Sequence, residues 1–423
     1  MIVQSKSNLI TNKRYALTLV WLQLATSFIV FIEPAPYDVI GIALFVAFFS
    51  LGLKIPVNIR TGVTLLGVFI LCNILASVAA YDPTITLRSL AVRFYMGISW
   101  IFFVCLIYEN PRLVLETIWS GYTVAAVLCV LVGIAGFYEL TPYTDQLIEF
   151  RRVRALFKDP NLYGPFLVPV ALYTFSRLEV VNGYKIALFG GLFVFISYGI
   201  LIGFSRGSWI NYVLSLTLYT GLRFASRQST SEFKRLLGIV ALGVCLVIIF
   251  IIIAASTDKI REMIEIRFQV QSYDVMQGGR LSNQRLILSE ALVRPLGVGA
   301  YLSEMLFYRA PHNIYLHVLI ESGWIGAIAY YSFIIVTIKK SYKFCFAPTN
   351  IQRSYTTAFV CIIGILAQSF FIDSTHWRHM YLLFAMLWAP ALFWEDQFKH
   401  NRQISNPITN QTKNVANTKL IPN

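Results

Sequence analysis

The chain has only five histidines, and one of them, His312, stands in Arg309-Ala-Pro-His-Asn313, where a proline turn leads into a long apolar run. A histidine at such an entry can take a proton from a hydroxyl or orient it, because its unperturbed pKa lies near neutrality. A helix-capping or interfacial role is the competing reading. His317 lies deeper in the same run and reads as a packed side chain, while His376 and His379 flank Trp377 in a short loop. Two arginine-bearing segments accompany His312. Gly203-Phe-Ser-Arg-Gly-Ser208 places Arg206 in a tight bend between two apolar runs, and Arg154-Ala-Leu-Phe-Lys-Asp-Pro-Asn161 closes a polar stretch. A charge at the edge of an apolar layer is costly unless it is satisfied. The planar fork of arginine suits a phosphate or pyrophosphate. Arg280, Arg285 and Arg309 lie in the polar stretch that ends at His312; there the alternative is an ordinary solvated face. Glu321 would sit about 13 Å beyond His312 along a helix. Unless it is paired at that depth, with Arg93 on the fourth run as the candidate, it should be protonated.

Other chemistries lack their residues. The sequence holds no D-x-D pair for a metal and a nucleotide sugar, no glycine-rich phosphate loop ending in G-K-[ST], and no H-E-x-x-H. Nucleotide-driven work and metal hydrolysis are therefore not expected, and neither a cofactor nor a metal is called for. The six cysteines form no C-x-x-C pair and read as helix packing.

The elements that must position these residues are membrane helices. With 423 residues, 57% of them hydrophobic and 13% charged, and a mean hydropathy of +0.64, the chain carries more apolar surface than a soluble core could bury. Apolar runs fall near 15–32, 38–53, 62–80, 90–107, 114–137, 161–177, 185–204, 208–223, 236–255, 313–338, 355–372 and 379–394. They predict an all-α, polytopic protein of about twelve transmembrane helices spread over residues 1–394. The first run is too long for a signal core and reads as a retained helix. The net charge of +14 reflects topology rather than nucleic-acid binding. Most of the lysines and arginines lie in alternate loops and in the tail, which places both termini in the cytoplasm.

Two loops on the opposite side depart from that pattern. The stretch 138–160 carries Arg151, Arg152, Arg154 and Lys158, and the large loop 256–312 precedes the tenth run. Within the large loop, Ile260, Ile264 and Phe268 recur at helical spacing, as do Leu281, Leu288 and Leu292. Two short amphipathic helices at the membrane surface are expected, with Arg285 on the face of the second leucine stripe. Residues 395–423 are polar and are expected to form a disordered cytoplasmic tail. No internal repeat is evident, which counts against a transporter built from two related halves.

Four segments in this order resemble the bacterial O-antigen ligases and the related lipid-linked glycan polymerases. They are Arg154-x-x-Phe-x-Asp-Pro-Asn161, Ser205-Arg-Gly207, Gly279-Arg280 with Arg294-Pro-Leu-Gly-Val-Gly299, and Pro311-His-Asn313 running to Glu321-Ser-Gly-Trp-Ile-Gly326. The resemblance implies an enzyme of the bacterial inner membrane that takes a glycan from polyprenyl pyrophosphate at the periplasmic face. Its acceptor hydroxyl would belong to the lipid A core or to another lipid-linked glycan, and transfer would proceed with inversion and without metal. His312 would orient or deprotonate the acceptor, Arg206 would stand near the pyrophosphate, and Arg154 and Arg280 would contact substrate. Arg285, Arg309 and Asn313 are further candidates for substrate contact. The main alternative is a carrier or flippase for a lipid-linked oligosaccharide, although such a protein should concentrate its charges inside the bundle rather than in outer loops.

Overall fold

The structure, a computed structural model, describes residues 14–78, 83–226, 230–256, 258–269, 279–307 and 311–405. Helices dominate these residues. In chain order they are α1 (Arg14–Ala25), α2 (Pro36–Ser50), α3 (Arg60–Ala76), α4 (Pro83–Glu109), α5 (Pro111–Phe137), α6 (Pro160–Arg177), α7 (Tyr184–Ile202), α8 (Arg206–Ala225), α9 (Thr230–Ser256), α10 (Asp258–Phe268), α11 (Arg280–Val293), α12 (Leu302–Phe307), α13 (Ile314–Tyr342), α14 (Gln352–Gln368) and α15 (Arg378–Ser405). Each apolar run read from the sequence overlaps one of these helices, although the first, 15–32, outlasts α1, which ends at Ala25. Among the described residues, five segments are long and apolar enough to cross a membrane: Val57–Ala76, Thr84–Glu109, Pro111–Phe137, Tyr184–Ile202 and Ile314–Phe346. The chain is a multi-pass helical membrane protein.

Local chemistry sets the helix starts. Pro111 and Pro160 occupy first-turn positions, where a missing N–H does no harm. Asn110 and Asp159 cap these two helices by accepting from Leu113 N and Asn161 N. Between α5 and α6 the chain makes one helical turn, Thr144–Leu147, and a two-stranded antiparallel hairpin, β1 (Ile148–Glu149) with β2 (Arg152–Val153), which pairs Glu149 with Arg152. The helices pack chiefly as α3 on α13, α4 on α15, α6 on α7, α8 on α14 and α1 on α5. Trp100, Phe333, Phe384 and Trp388 form an aromatic cluster between α4, α13 and α15, with the Trp100 and Trp388 rings 5.4 Å apart. Val39, Ile42 and Val46 on α2 and Ile325 and Ile328 on α13 point outward, as suits helices facing lipid. The six cysteines are free.

One expectation is corrected. The polar tail does not begin at residue 395, because α15 continues to Ser405. Its Asp396 carboxylate accepts from Asn58 Nδ2 at 2.6 Å and from Tyr108 Oη at 2.7 Å, and these bonds hold the last turns against the bundle. Residues 406–423 lie outside the described residues. On α11 the stripe Leu281, Leu288 and Leu292 is exposed, whereas Asn283, Ile287 and Ala291 are buried. Ile287 and Ala291 pack with Ile320 of α13, so protein occupies the narrower small-residue face and the leucines turn outward.

Helices α6, α8 and α14 run side by side, and their ends away from residues 161, 206 and 368 are joined by one carboxylate. Glu179 accepts from Arg223 Nη2 at 2.9 Å, Arg353 Nε at 3.2 Å and Tyr219 Oη at 2.6 Å. Removing one member of a buried ionic group strands the others, so Glu179→Ala should cost about 3 kcal/mol. A lower unfolding midpoint in detergent would show it, and an unchanged midpoint would mean that this junction does not hold the three helices.

Candidate active site

At the opposite ends of these helices lies a cavity of about 60 Å³ lined by Arg152, Arg206, Arg267 and Arg280, together with Asn161, Ser205, Gly207 and Gln368. Each arginine comes from a different element. Arg152 sits on β2 and donates from Nη2 to Asn161 Oδ1 at 2.8 Å. Arg206 opens α8, Arg267 closes α10 and Arg280 opens α11. A helix N-terminus already presents unsatisfied N–H groups and positive potential. Placing a guanidinium on the first residue of two helices is unfavourable unless an anion shares the space. Two helix starts and four guanidinium groups therefore make a site suited to a strongly negative ligand. Gln368 is held from behind, where its Oε1 accepts from Asn211 Nδ2 at 3.0 Å.

His312 does not line this cavity but lies near enough to Arg280 to feel its charge, on a turn with φ +45°. The carbonyls of Pro311 and His312 accept from Gln284 Nε2 at 3.4 Å. Ile314 N donates to Ser369 O at 2.9 Å, which docks the turn on the 369–377 loop. Burial lowers the His312 pKa below its ordinary value of 6.5, and the nearby Arg280 charge lowers it further, against weaker opposing pulls from Asp159 and Asp373. The imidazole is thus neutral at neutral pH and able to accept a proton. Partial burial raises the Asp373 pKa, but His317, His376 and the Thr375 N–H outweigh that cost and hold the carboxyl well below the usual range.

Behind His312 lies a buried polar network. Glu321 bonds to Arg93, as the sequence suggested, and Arg93 also bonds to Asn73 Oδ1. His317 Nε2 is 3.0 Å from Glu321 Oε2 and 3.6 Å from Asp373 Oδ2. His317 is therefore a member of an ionic cluster rather than a packed apolar-face histidine. Among the described residues no group of three His, Cys, Asp or Glu side chains is arranged to hold a metal.

The other residues singled out by sequence separate into several positions. Arg154 does not line the cleft; its Nε donates to Gln146 O at 3.0 Å and its Nη1 lies 3.6 Å from Glu149 Oε2. Arg152, two residues earlier, takes the cleft position. Asn313 caps α13 by accepting from Tyr315 N at 2.9 Å and Leu316 N at 3.1 Å, and donates to Phe370 O, so its side chain serves the turn that carries His312. Arg285 is exposed on α11, and Arg309 lies outside the described residues. Sequence reasoning missed Arg152, Arg267, Gln368 and Asp373. The basic run Arg151-Arg152-Val153-Arg154 was the available signal for the first, but strands of two residues carry no readable periodicity. Sequence reasoning also passed over the glycine–serine spacing of Gly203-Phe-Ser-Arg-Gly207. In the structure Ser205 joins one helix to another, whereas a nucleophile elbow needs a strand leading into a helix.

Fold and cleft together define a multi-pass helical membrane protein with an arginine-lined pocket beside a neutral histidine. Over residues 191–331 the chain matches the O-antigen ligase family, and this stretch holds Arg206, Arg267, Arg280, His312 and Glu321. The likeness read from short motifs thus holds where three of the four motif segments lie. No curated protein matches the chain.

Proposed function

We propose that the protein is a glycosyltransferase of the bacterial inner membrane, acting in O-antigen or exopolysaccharide ligation or polymerisation. In this reading the chain spans the membrane twelve times with both termini in the cytoplasm, and the cleft faces the periplasm. The donor is a glycan on polyprenyl pyrophosphate. The observation that carries the reading is the convergence of four guanidinium groups beside an imidazole kept neutral by burial and by Arg280.

The chemistry follows from these groups. The acceptor oxygen attacks the anomeric carbon opposite the pyrophosphate, a new C–O bond forms and the old one breaks. Its electron pair leaves on the pyrophosphate, and the acceptor proton passes to His312. Inversion follows from a single displacement. A pyrophosphate leaving group needs charge neutralisation more than it needs a proton, so fixed guanidiniums can stabilise the departing charge without a catalytic acid. Metal independence is part of the proposal.

The test uses purified protein in liposomes, a polyprenyl-pyrophosphate-linked repeat unit and no added metal, with and without a lipid A core acceptor. A ladder of longer lipid-linked glycans means polymerase, and a single product that requires the core means ligase. Lipid-linked glycan crossing the bilayer with no new glycosidic bond would replace this proposal with a carrier. The pH dependence has a definite sign. His312 must be unprotonated to act, and its pKa is lowered, so the acid limb of the transfer rate should fall below pH 6.5. Removing the positive charge at Arg280, as in Arg280→Gln, should move that limb upward. An acid limb that stays in place would separate His312 from the rate.

A further inference from the structure

We propose that Glu321 is a positioning residue that sets the geometry of the His312 turn by holding two flanking segments at once; the inference rests on the transferase reading above. Glu321 lies in α13 and is fully buried. Its side chain bonds to Arg93, stands 3.0 Å from His317 Nε2 and accepts from Ser303 Oγ at 2.9 Å. Its main-chain carbonyl accepts from Gly299 N at 3.1 Å, and the preceding carbonyl, of Ile320, accepts from Val298 N at 2.8 Å. Side chain and backbone of one residue therefore grip the segment 297–303.

The helix is opened to receive that segment. Gly323 has φ +69° inside α13, and Trp324 N, freed from its helical partner, donates to Pro295 O at 2.9 Å. A Cβ on Gly297 would meet Gly323 N at 2.5 Å, so the segment is seated in the break and not merely laid over it. On the other side, His317 reaches from Glu321 to Asp373. The 369–377 loop containing Asp373 accepts from Ile314 N and Asn313 Nδ2 through Ser369 O and Phe370 O. The chain enters the His312 turn from the first segment, and the turn docks on the second; both trace back to one carboxylate.

Packing alone does not call for this arrangement. A buried ionic group can often be replaced by apolar residues of similar volume with little loss of stability. Holding a catalytic side chain to its working geometry is a different requirement, and a displacement of about 1 Å can lower a rate by about 100-fold.

The experiment compares the full chain with Glu321→Gln, Glu321→Met and the double variant Arg93→Met/Glu321→Met, the last leaving no buried charge from this pair stranded. Transfer kinetics are read beside hydrogen exchange at 297–303 and 311–314. In the double variant kcat should fall about 100-fold while the donor KM stays within about threefold, because the arginine cleft is untouched. Exchange should quicken in those two segments and not across the bundle. Glu321→Gln, which can still accept from Ser303, should recover part of the rate. Unchanged kcat in the double variant, unchanged exchange at 297–303, or exchange that rises throughout the protein would each overturn the proposal. If the wild-type protein transfers no glycan, the transferase reading fails, and the exchange measurements still decide whether Glu321 holds the two segments.

Discussion

Arg206→Ala should lower transfer by on the order of 100-fold to 1000-fold, the loss seen when one fixed donor is taken from a developing negative charge. The protein should stay in the membrane with a near-normal unfolding midpoint, because Arg206 occupies the first turn of α8 and lies only partly buried. Arg206→Lys should recover little of the rate. An ammonium keeps the charge but not the planar pair of donors that matches a phosphate oxygen pair. The reading is a rate measured with saturating donor beside a titration of donor binding. Wild-type turnover in Arg206→Ala would remove the cleft from the chemistry, whereas a loss confined to binding would make Arg206 an anchor for the donor only.

His312→Ala should cost about 100-fold to 10,000-fold in turnover, the usual span for a positioned acid or base, with donor binding nearly intact. Two further variants separate the roles open to the imidazole. His312→Gln keeps a hydrogen-bonding group at the turn but cannot take up a proton at neutral pH. If the glutamine variant stays as slow as the alanine variant and loses the acid limb of its pH profile, His312 is the base. Recovery of most of the rate with glutamine would show that orientation of the acceptor is the whole contribution. The φ of +45° at this position suits histidine better than either replacement, so the alanine and glutamine variants are compared with each other rather than each with histidine alone.

The sequence made parts of this molecule readable and hid others for physical reasons. Apolar runs mark helices because lipid offers their backbones no alternative partner, and every run overlaps a helix. The tie between Glu321 and Arg93 was half foreseeable for a related reason, since a buried carboxylate among apolar helices must find a cation or take up a proton, and the structure shows the cation. By contrast, the choice between Arg152 and Arg154 depends on a hairpin whose strands are two residues long. Arg267 reaches the cleft only because α10 ends there, and nothing local to its sequence announces the fact. The leucines of α11 mark an amphipathic helix correctly, but they do not tell lipid or solvent from protein as the neighbour. The spacing of His317 and Glu321 at i and i+4 was the available signal for their contact, whereas the second partner of His317, Asp373, is remote in sequence.

The cleft draws on two groups of elements. Arg206, Asn161 and Gln368 belong to long helices packed against one another, while Arg267 and Arg280 arrive on α10 and α11 from the excursion before α13. A polyanion seated among them would act as a clasp between the excursion and the bundle, favouring the docked arrangement by the same free energy with which docking favours its binding.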